Sequence, residues 1–416
     1  MIAKSPLSVA VFCAAAVFLL GGCVSNRLYN SLPSEYIVSV VPPGEDTVGV
    51  DVAIIEFDEF GMLWSPEQLD AALALINEQN AASDRGIILV TYTHGWMNNA
   101  DPDREQNDLA RFRDGMRSLG QQLHTEGAPA PDRVVGVFLG WRGATNRVPL
   151  WNNLSFWDRK DAAERVASYQ KRESLFRLTA ATKACRDSKV LLSGHSMGGM
   201  ILANTLAPSL STLLLASGPE GVRAPADMVL LQNPALDGLA AFQLIEYLKR
   251  TEARLEHRYP GGRVEAARGP VIASITSEAD LVTGKAYPAG QILDNFTRSF
   301  RDDLGEGLPS QGKFANRAHG HMDFLVSHRA RMEDGQLVLE RVPGAFNDTP
   351  FWIVQTTGEI CQNHGDIYNE RFIHLVEHIT KLNRLYDTEI DNWIVQSQPL
   401  NVKSASNTSA DGGRSR

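Results

Sequence analysis

Six apolar runs constrain the fold of this chain more than any other feature: IILVTYT (87–93), VVGVFLG (134–140), KVLLS (189–193), MVLLQ (228–232), VIASIT (271–276) and FWIVQT (351–356). Each is rich in Val, Ile or Leu and nearly continuous, as a strand buried on both faces requires. Helix-compatible stretches separate them: 103–123, the charged region Trp157–Cys185, the segment from Met197 onward and one running to about His257. Strands covered on both sides and spaced by helices predict an α/β fold, with a mostly parallel central sheet and helices on both faces. VGVDVAIIEFDEFGMLW (48–64) suggests earlier strands. Ser65-Pro66-Glu67 then starts a helix, with Ser as the cap, Pro at the first helical position and an acid in the first turn.

Two connections exceed the usual length and read as insertions, 143–156 and 283–349. Within the second, Asp323–Val342 predicts a hairpin turning at Glu333-Asp334-Gly335. Such insertions serve either as a lid or substrate wall, or as surface decoration.

With 416 residues, 43% of them hydrophobic, the chain can bury a sizeable core. A formal net charge of −9 and the lack of a dense Lys/Arg block argue against a nucleic-acid partner, because phosphate binding needs a basic footprint. The main domain is expected over 48–395. The small, polar tail SASNTSADGGRSR (404–416) is expected to be disordered.

At the start of the chain, Lys4 supplies a positive region and Pro6–Leu20 an apolar one too short for a comfortable membrane span, which needs about 20 residues. Leu20-Gly21-Gly22-Cys23 then resembles the bacterial lipobox. The resemblance implies a lipoprotein signal peptide over 1–22 and Cys23 as a lipid-bearing first mature residue, followed by a tether over 23–47. Val24 is not the Asp that tends to retain enteric lipoproteins at the inner membrane, so attachment to the outer membrane facing the periplasm is expected. Cys13 leaves with the signal, which leaves Cys185 and Cys361. They fall at opposite ends of strands five to seven residues long, about 3.3 Å per residue, against a limit of about 7 Å for bridging Cα atoms. Two free thiols are expected.

LLSGHSMGGM (191–200) carries the chemistry. Gly194-His195-Ser196-Met197-Gly198 fits G-x-S-x-G, with an apolar strand before and a helix after, so the glycines let the chain turn sharply and expose the Ser196 hydroxyl. The stretch resembles the nucleophile elbow of the α/β-hydrolase superfamily, particularly its esterase and lipase-like members, with similarity of order over roughly 86–381.

That resemblance implies a triad in the order Ser, acid, His. Asp280, in Ser277-Glu278-Ala279-Asp280 after VIASIT, falls where the acid belongs, with Asp237 and Glu278 as rivals. His364, in Cys361-Gln362-Asn363-His364-Gly365 after FWIVQT, falls where the general base belongs. His94-Gly95-Trp96, after IILVTYT, resembles the stretch that bends toward the nucleophile, and implies an oxyanion hole made by the amides of Trp96 and Met197, with His94 shaping the loop. The expectation is a serine hydrolase, most simply a carboxylic-ester hydrolase acting on a small-molecule or lipid ester through an acyl-enzyme, with no cofactor and no metal. Amide or thioester hydrolysis, acyl transfer and a catalytically idle binding protein on the same fold are the alternatives.

Other residues read more plainly. His319-Gly320-His321 lacks a third metal ligand at convincing spacing, and His374 and His378 read as packing or surface residues. Arg142, ending a strand, either meets an acidic substrate group or pairs with a nearby acid; Trp151, Phe156 and Trp157 line a pocket, face a membrane or fill core.

Overall fold

The computed structural model describes residues 26–44, 47–104, 107–125, 133–145, 155–185, 187–216, 226–258, 270–305 and 307–382. The signal segment 1–22, Cys13, Cys23, Trp151 and the tail 404–416 lie outside them.

Each apolar run forms a strand. β1 is Ile37–Val41, β2 Gly49–Glu56, β3 Ile87–Thr93, β4 Arg133–Gly140, β5 Lys189–His195, β6 Met228–Gln232, β7 Ile272–Ser277, β8 His328–Glu333, β9 Gln336–Arg341 and β10 Phe351–Thr356. They join into one sheet in the order β1-β2-β4-β3-β5-β6-β7-β10-β8-β9. The eight strands from β2 to β8 in that order are mutually parallel, while the edge strands β1 and β9 run antiparallel to β2 and β8. The C-terminal ends of the parallel strands therefore share one edge of the sheet.

Helices cover both faces, which is why β3 is buried at all seven positions. On one face α1 (Pro66–Ala82), α3 (Phe156–Val166), α4 (Tyr169–Lys183), α5 (Met197–Ala216) and α6 (Gly238–Arg258) pack on Ala53, Ile55, Val137, Leu139, Val190 and Leu192. On the other, α2 (Asp108–Thr125) and α9 (Glu370–Leu382) place Phe112, Met116, Phe372 and Leu375 on Val52, Ile54, Ile88 and Phe138. Successive strand residues feed opposite cores, as the two-residue period demands. The charged region 157–185 is two helices rather than one, broken where the Ser168 amide bonds the Val166 carbonyl instead of continuing the ladder.

Two differences from the sequence reading concern the edges. Ile37–Val41 lies in the stretch expected to be tether, yet it pairs with β2 as an edge strand, its short apolar alternation flanked by loop residues. The second insertion is partly sheet. Its hairpin turns at Asp334 and Gly335, both with positive φ, and adds β8 beside β10. Before the hairpin come α7 (Tyr287–Asp294) and α8 (Gln311–Ala315), the latter packed on α6. Cys185 follows α4 and Cys361 follows β10, so the two stand at opposite edges of the sheet as free thiols.

Candidate active site

Ser196 stands between β5 and α5 with φ +56°, a left-handed conformation that L residues rarely adopt. The turn closes this tightly because its glycines have no Cβ. One on Gly194 would come within 2.6 Å of the Gly198 carbonyl oxygen, and one on Gly198 would run into the carbonyl oxygens of Thr93 and His94. The first turn of α5 thus rests directly on the end of β3. Gly198→Ala is expected to cost about 3 kcal/mol or more in stability, since backbone has to move. Gly115→Ala, in α2 with nothing within 4 Å of the added carbon, is expected to gain about 0.5–1 kcal/mol. Urea unfolding of the pair checks both.

Two later strand ends bring their side chains to this serine. His364 Nε2 lies 2.7 Å from Ser196 Oγ, and His364 Nδ1 lies 2.7 Å from Asp280 Oδ2. Asp280 is 1% exposed and fully bonded. Its Oδ1 accepts from the amides of Val282 (2.8 Å) and Thr283 (3.2 Å), and its Oδ2 also accepts from the Thr283 hydroxyl (2.5 Å). Burial alone would raise this carboxyl, but the hydrogen bonds from His364 and Thr283 outweigh it and hold Asp280 below the usual carboxylate range.

The rival acids are engaged elsewhere. Asp237 caps α6, its Oδ1 accepting from the Ala240 amide at 2.8 Å, and burial raises its carboxyl. Glu278 is exposed.

Three side chains at the site give no comparable sequence signal. Asn233, at the end of β6 with φ +41°, donates through Nδ2 to the His364 carbonyl (3.0 Å) and accepts at Oδ1 from the Ser277 amide (3.0 Å). It ties the loop that carries His364 to β6 and β7. The His364 carbonyl also receives His195 Nε2 at 2.9 Å, with the two imidazole centroids 4.9 Å apart. Burial, and then the neighbouring His364, push His195 down to about 4, so it stays neutral. Thr283 is the third, and it has a second partner, His321, whose Nε2 lies 2.9 Å from the Thr283 hydroxyl oxygen. The Thr283 proton goes to Asp280, so His321 Nε2 carries the hydrogen in that contact. Thr283→Val keeps the shape and removes the donor; about a tenfold loss in kcat is expected from one bond to a charged group, with Thr283→Ser near wild type. Loss of the donor also lifts Asp280 toward ordinary carboxylate values.

The loop after β3 closes the other side of Ser196. A Cβ on Gly95 would lie 2.9 Å from Ser196 Cβ, so this backbone touches the elbow. Met97, φ +66°, anchors the bend through its amide to the Gly143 carbonyl at 2.9 Å. Among the described residues no acceptor takes the amides of Trp96 or Met197. His94 is buried, with Nδ1 bonded to the Gly95 carbonyl (2.9 Å) and Nε2 accepting the Trp141 amide (3.0 Å). Burial pushes it down to about 4. Both nitrogens of this neutral ring are spent on shaping the loop. The Trp96 ring meets Phe156 edge-on (5.2 Å between centroids), which meets Trp157 in the same way (4.9 Å).

Close to His94, the wholly buried Lys171 has its Nζ 4.5 Å from the Phe57 ring centre and no hydrogen-bond partner among the described residues. Burial pushes its ammonium down to about 7. Below that pH folded and unfolded forms are both protonated and the charge weighs fully on the fold. Between about 7 and the unfolded value near 10.4 the unfolded chain holds a proton the folded one lacks, so stability rises with pH. Lys171→Met is expected to stabilise the neutral-pH protein by a few kcal/mol, to order of magnitude, and to remove that rise. Urea midpoints measured between those two pH values check it.

The remaining sequence candidates have structural partners. Arg142 and Arg159 each place an Nη1 2.7 Å from Glu59 Oε1, the acid pairing foreseen as one of two roles for Arg142. His319 bonds Ser274 (2.6 Å) and the Leu236 carbonyl (2.9 Å). With His321 on Thr283, the two histidines face different partners rather than one shared point, and no cluster of three metal-ligating side chains occurs among the described residues. The chain matches no known family model and no curated protein.

Proposed function

We propose that the chain is a serine hydrolase of the α/β-hydrolase fold, most simply a carboxylic-ester hydrolase. The observation that carries this reading is the unbroken chain Ser196–His364–Asp280, two contacts of 2.7 Å ending on a strained serine. Asp280 holds a hydrogen on His364 Nδ1, which leaves the Nε2 lone pair facing the Ser196 hydroxyl. As Ser196 Oγ attacks the acyl carbon, its proton passes to His364 Nε2 and the carbonyl oxygen becomes an oxyanion. The amides of Trp96 and Met197, with no protein acceptor of their own among the described residues, are the donors for that oxygen. His364 then gives the proton to the leaving alcohol, and the acyl group stays on Ser196. Water, deprotonated by His364, releases the acid and restores the serine. Every proton moved in this cycle is held by His364, and no step calls on a cofactor or metal.

The amino-terminal pattern supports a second part of the proposal: a bacterial envelope protein held to the outer membrane, facing the periplasm, through lipid on Cys23. No helix among the described residues is long and apolar enough to cross a membrane.

The test is direct. The full chain is treated with a fluorophosphonate probe and assayed on water-soluble short-chain esters. Ester turnover, with the probe recovered on the peptide holding Ser196, is the expected result. A folded protein that neither reacts nor turns over any ester, amide or thioester removes the reading. Mass spectrometry of the amino-terminal peptide reads the lipid.

A further inference from the structure

The stretch following Cys23 is fastened to the active-site edge of the sheet. Glu56, the last residue of β2, is 3% exposed and accepts the amides of Tyr29 (3.0 Å) and Asn30 (2.8 Å) and the Asn30 side-chain amide (2.9 Å). That side chain also donates to the Ala100 carbonyl (2.9 Å), and Asn99 Nδ2 reaches the Tyr29 hydroxyl (3.1 Å). Gln68 Nε2 donates to the Asn30 carbonyl at 2.9 Å. Asn99 and Ala100 belong to the loop that runs on from Trp96. A buried carboxylate that holds three donors of this segment, and a fourth from Gln68 Nε2 (3.3 Å), makes this a fixed point rather than a loose leader. Cys23 precedes the first described residue, Asn26, by three positions, and three residues reach at most about 10 Å. A lipid on Cys23 thus brings a bilayer to the edge of the sheet that carries Ser196.

A second observation points to the same edge. The described residues expose nine large apolar side chains, and all nine are carried by segments that start or end there. Five lie on the amino-terminal segment, the β2–α1 loop and the first residue of α4; they include Phe60 (63% exposed) and Trp64 (37%). Tyr169 belongs to this set because Ser168, just before it, bonds the Gly61 carbonyl in that loop at 2.9 Å. Four lie between 281 and 296, directly after Asp280, and include Leu293 (70%) and Phe296 (85%). Isolated apolar side chains are normal on a protein surface, but their confinement to one edge is not. The two groups leave from β2 and β7, five strand spacings or about 24 Å apart, with the β5 end and Ser196 between them.

We infer that this edge is the face the protein lays on a lipid bilayer, with the Phe60–Trp64 loop and the 281–296 segment seated in the interface on either side of Ser196. The inference rests on the lipid-anchor reading of Cys23 and adds an orientation to it: the active site opens at the membrane surface rather than away from it. Aromatic and aliphatic side chains of this kind are the ones that partition into the headgroup region.

The test uses the full chain reconstituted in vesicles of phosphatidylethanolamine and phosphatidylglycerol containing a radiolabelled phospholipid. p-Benzoylphenylalanine replaces Phe60 or Phe296, or Asp84 as control, an exposed residue in the turn between α1 and β3 at the opposite edge. On irradiation, positions 60 and 296 are expected to capture roughly tenfold more phospholipid than position 84, because only a group within the bilayer meets lipid C–H bonds. Equal capture at all three positions, capture at 84 alone, or a chain that does not associate with the vesicles overturns the inference. Two readouts on the same samples keep the failures apart. Unmodified Cys23 with capture at 60 and 296 removes the anchor and leaves the face standing. Turnover of a water-soluble ester with no capture at 60 and 296 leaves the hydrolase reading standing and removes the face.

Discussion

Ser196→Ala is expected to abolish probe labelling and to lower kcat for short-chain esters by about 10⁵- to 10⁶-fold, the size of effect seen when a triad nucleophile is removed. The alanine leaves His364 on Asp280 and the loops intact, so the loss is chemical rather than structural. One hydroxyl-to-imidazole bond disappears, and stability should change by no more than about 1 kcal/mol. Ser196→Gly separates the two contributions further. At φ +56° every side chain pays a steric cost that glycine does not, so this variant should be as inactive as the alanine while unfolding at higher urea, by roughly 1 kcal/mol. An inactive variant more stable than wild type is the expected mark of a residue kept in a strained place for its oxygen. If both variants retain turnover, the nucleophile is elsewhere.

Local sequence carried the parts of this molecule whose physics is local. The apolar runs became strands because nothing but a strand covered on both faces fits VVGVFLG or IILVTYT, and Gly194 and Gly198 marked a turn too tight for a Cβ. Asp334-Gly335 placed the hairpin turn because positive φ at both positions selects such residues. Both Asp237 and Asp280 follow a strand, so position alone left them rivals and only the resemblance favoured Asp280; the contact of Asp280 with His364, and the use of Asp237 as the α6 cap, emerge once the strand ends and the helix start are seen. What could not be read depends on contacts between distant segments. Asn233 looks like any turn asparagine until β6, β7 and the His364 loop come together around it. Thr283 and His321 are 38 residues apart and have meaning only through Asp280. β1 is short, half-covered and at the sheet edge, so its five residues carry too weak an alternation to stand out from a leader.

Asp280→Asn is the other large effect, expected to lower kcat by about 10⁴-fold while the fold holds. The carboxylate meets four hydrogens: the amides of Val282 and Thr283 on Oδ1, and the Thr283 hydroxyl and His364 Nδ1–H on Oδ2. An asparagine meets the two backbone amides with its carbonyl oxygen, which points its NH₂ group at Thr283 and His364. The NH₂ can only donate, so the stable arrangement has His364 accept at Nδ1 and carry its hydrogen on Nε2. An imidazole in that tautomer faces Ser196 with a hydrogen where the lone pair was, and cannot take the serine proton. The geometry survives and the base is lost. Asp237→Asn is the matching control, because asparagine caps a helix about as well as aspartate and the Ala240 amide keeps its acceptor. Activity lost in Asp237→Asn and kept in Asp280→Asn would move the acid to α6. The distinction can be read in the same preparations by the His364 Nδ1–H proton resonance, which is strongly downfield only when that hydrogen is shared with a carboxylate. A fall in kcat together with loss of that resonance assigns the damage to the tautomer rather than to displaced backbone.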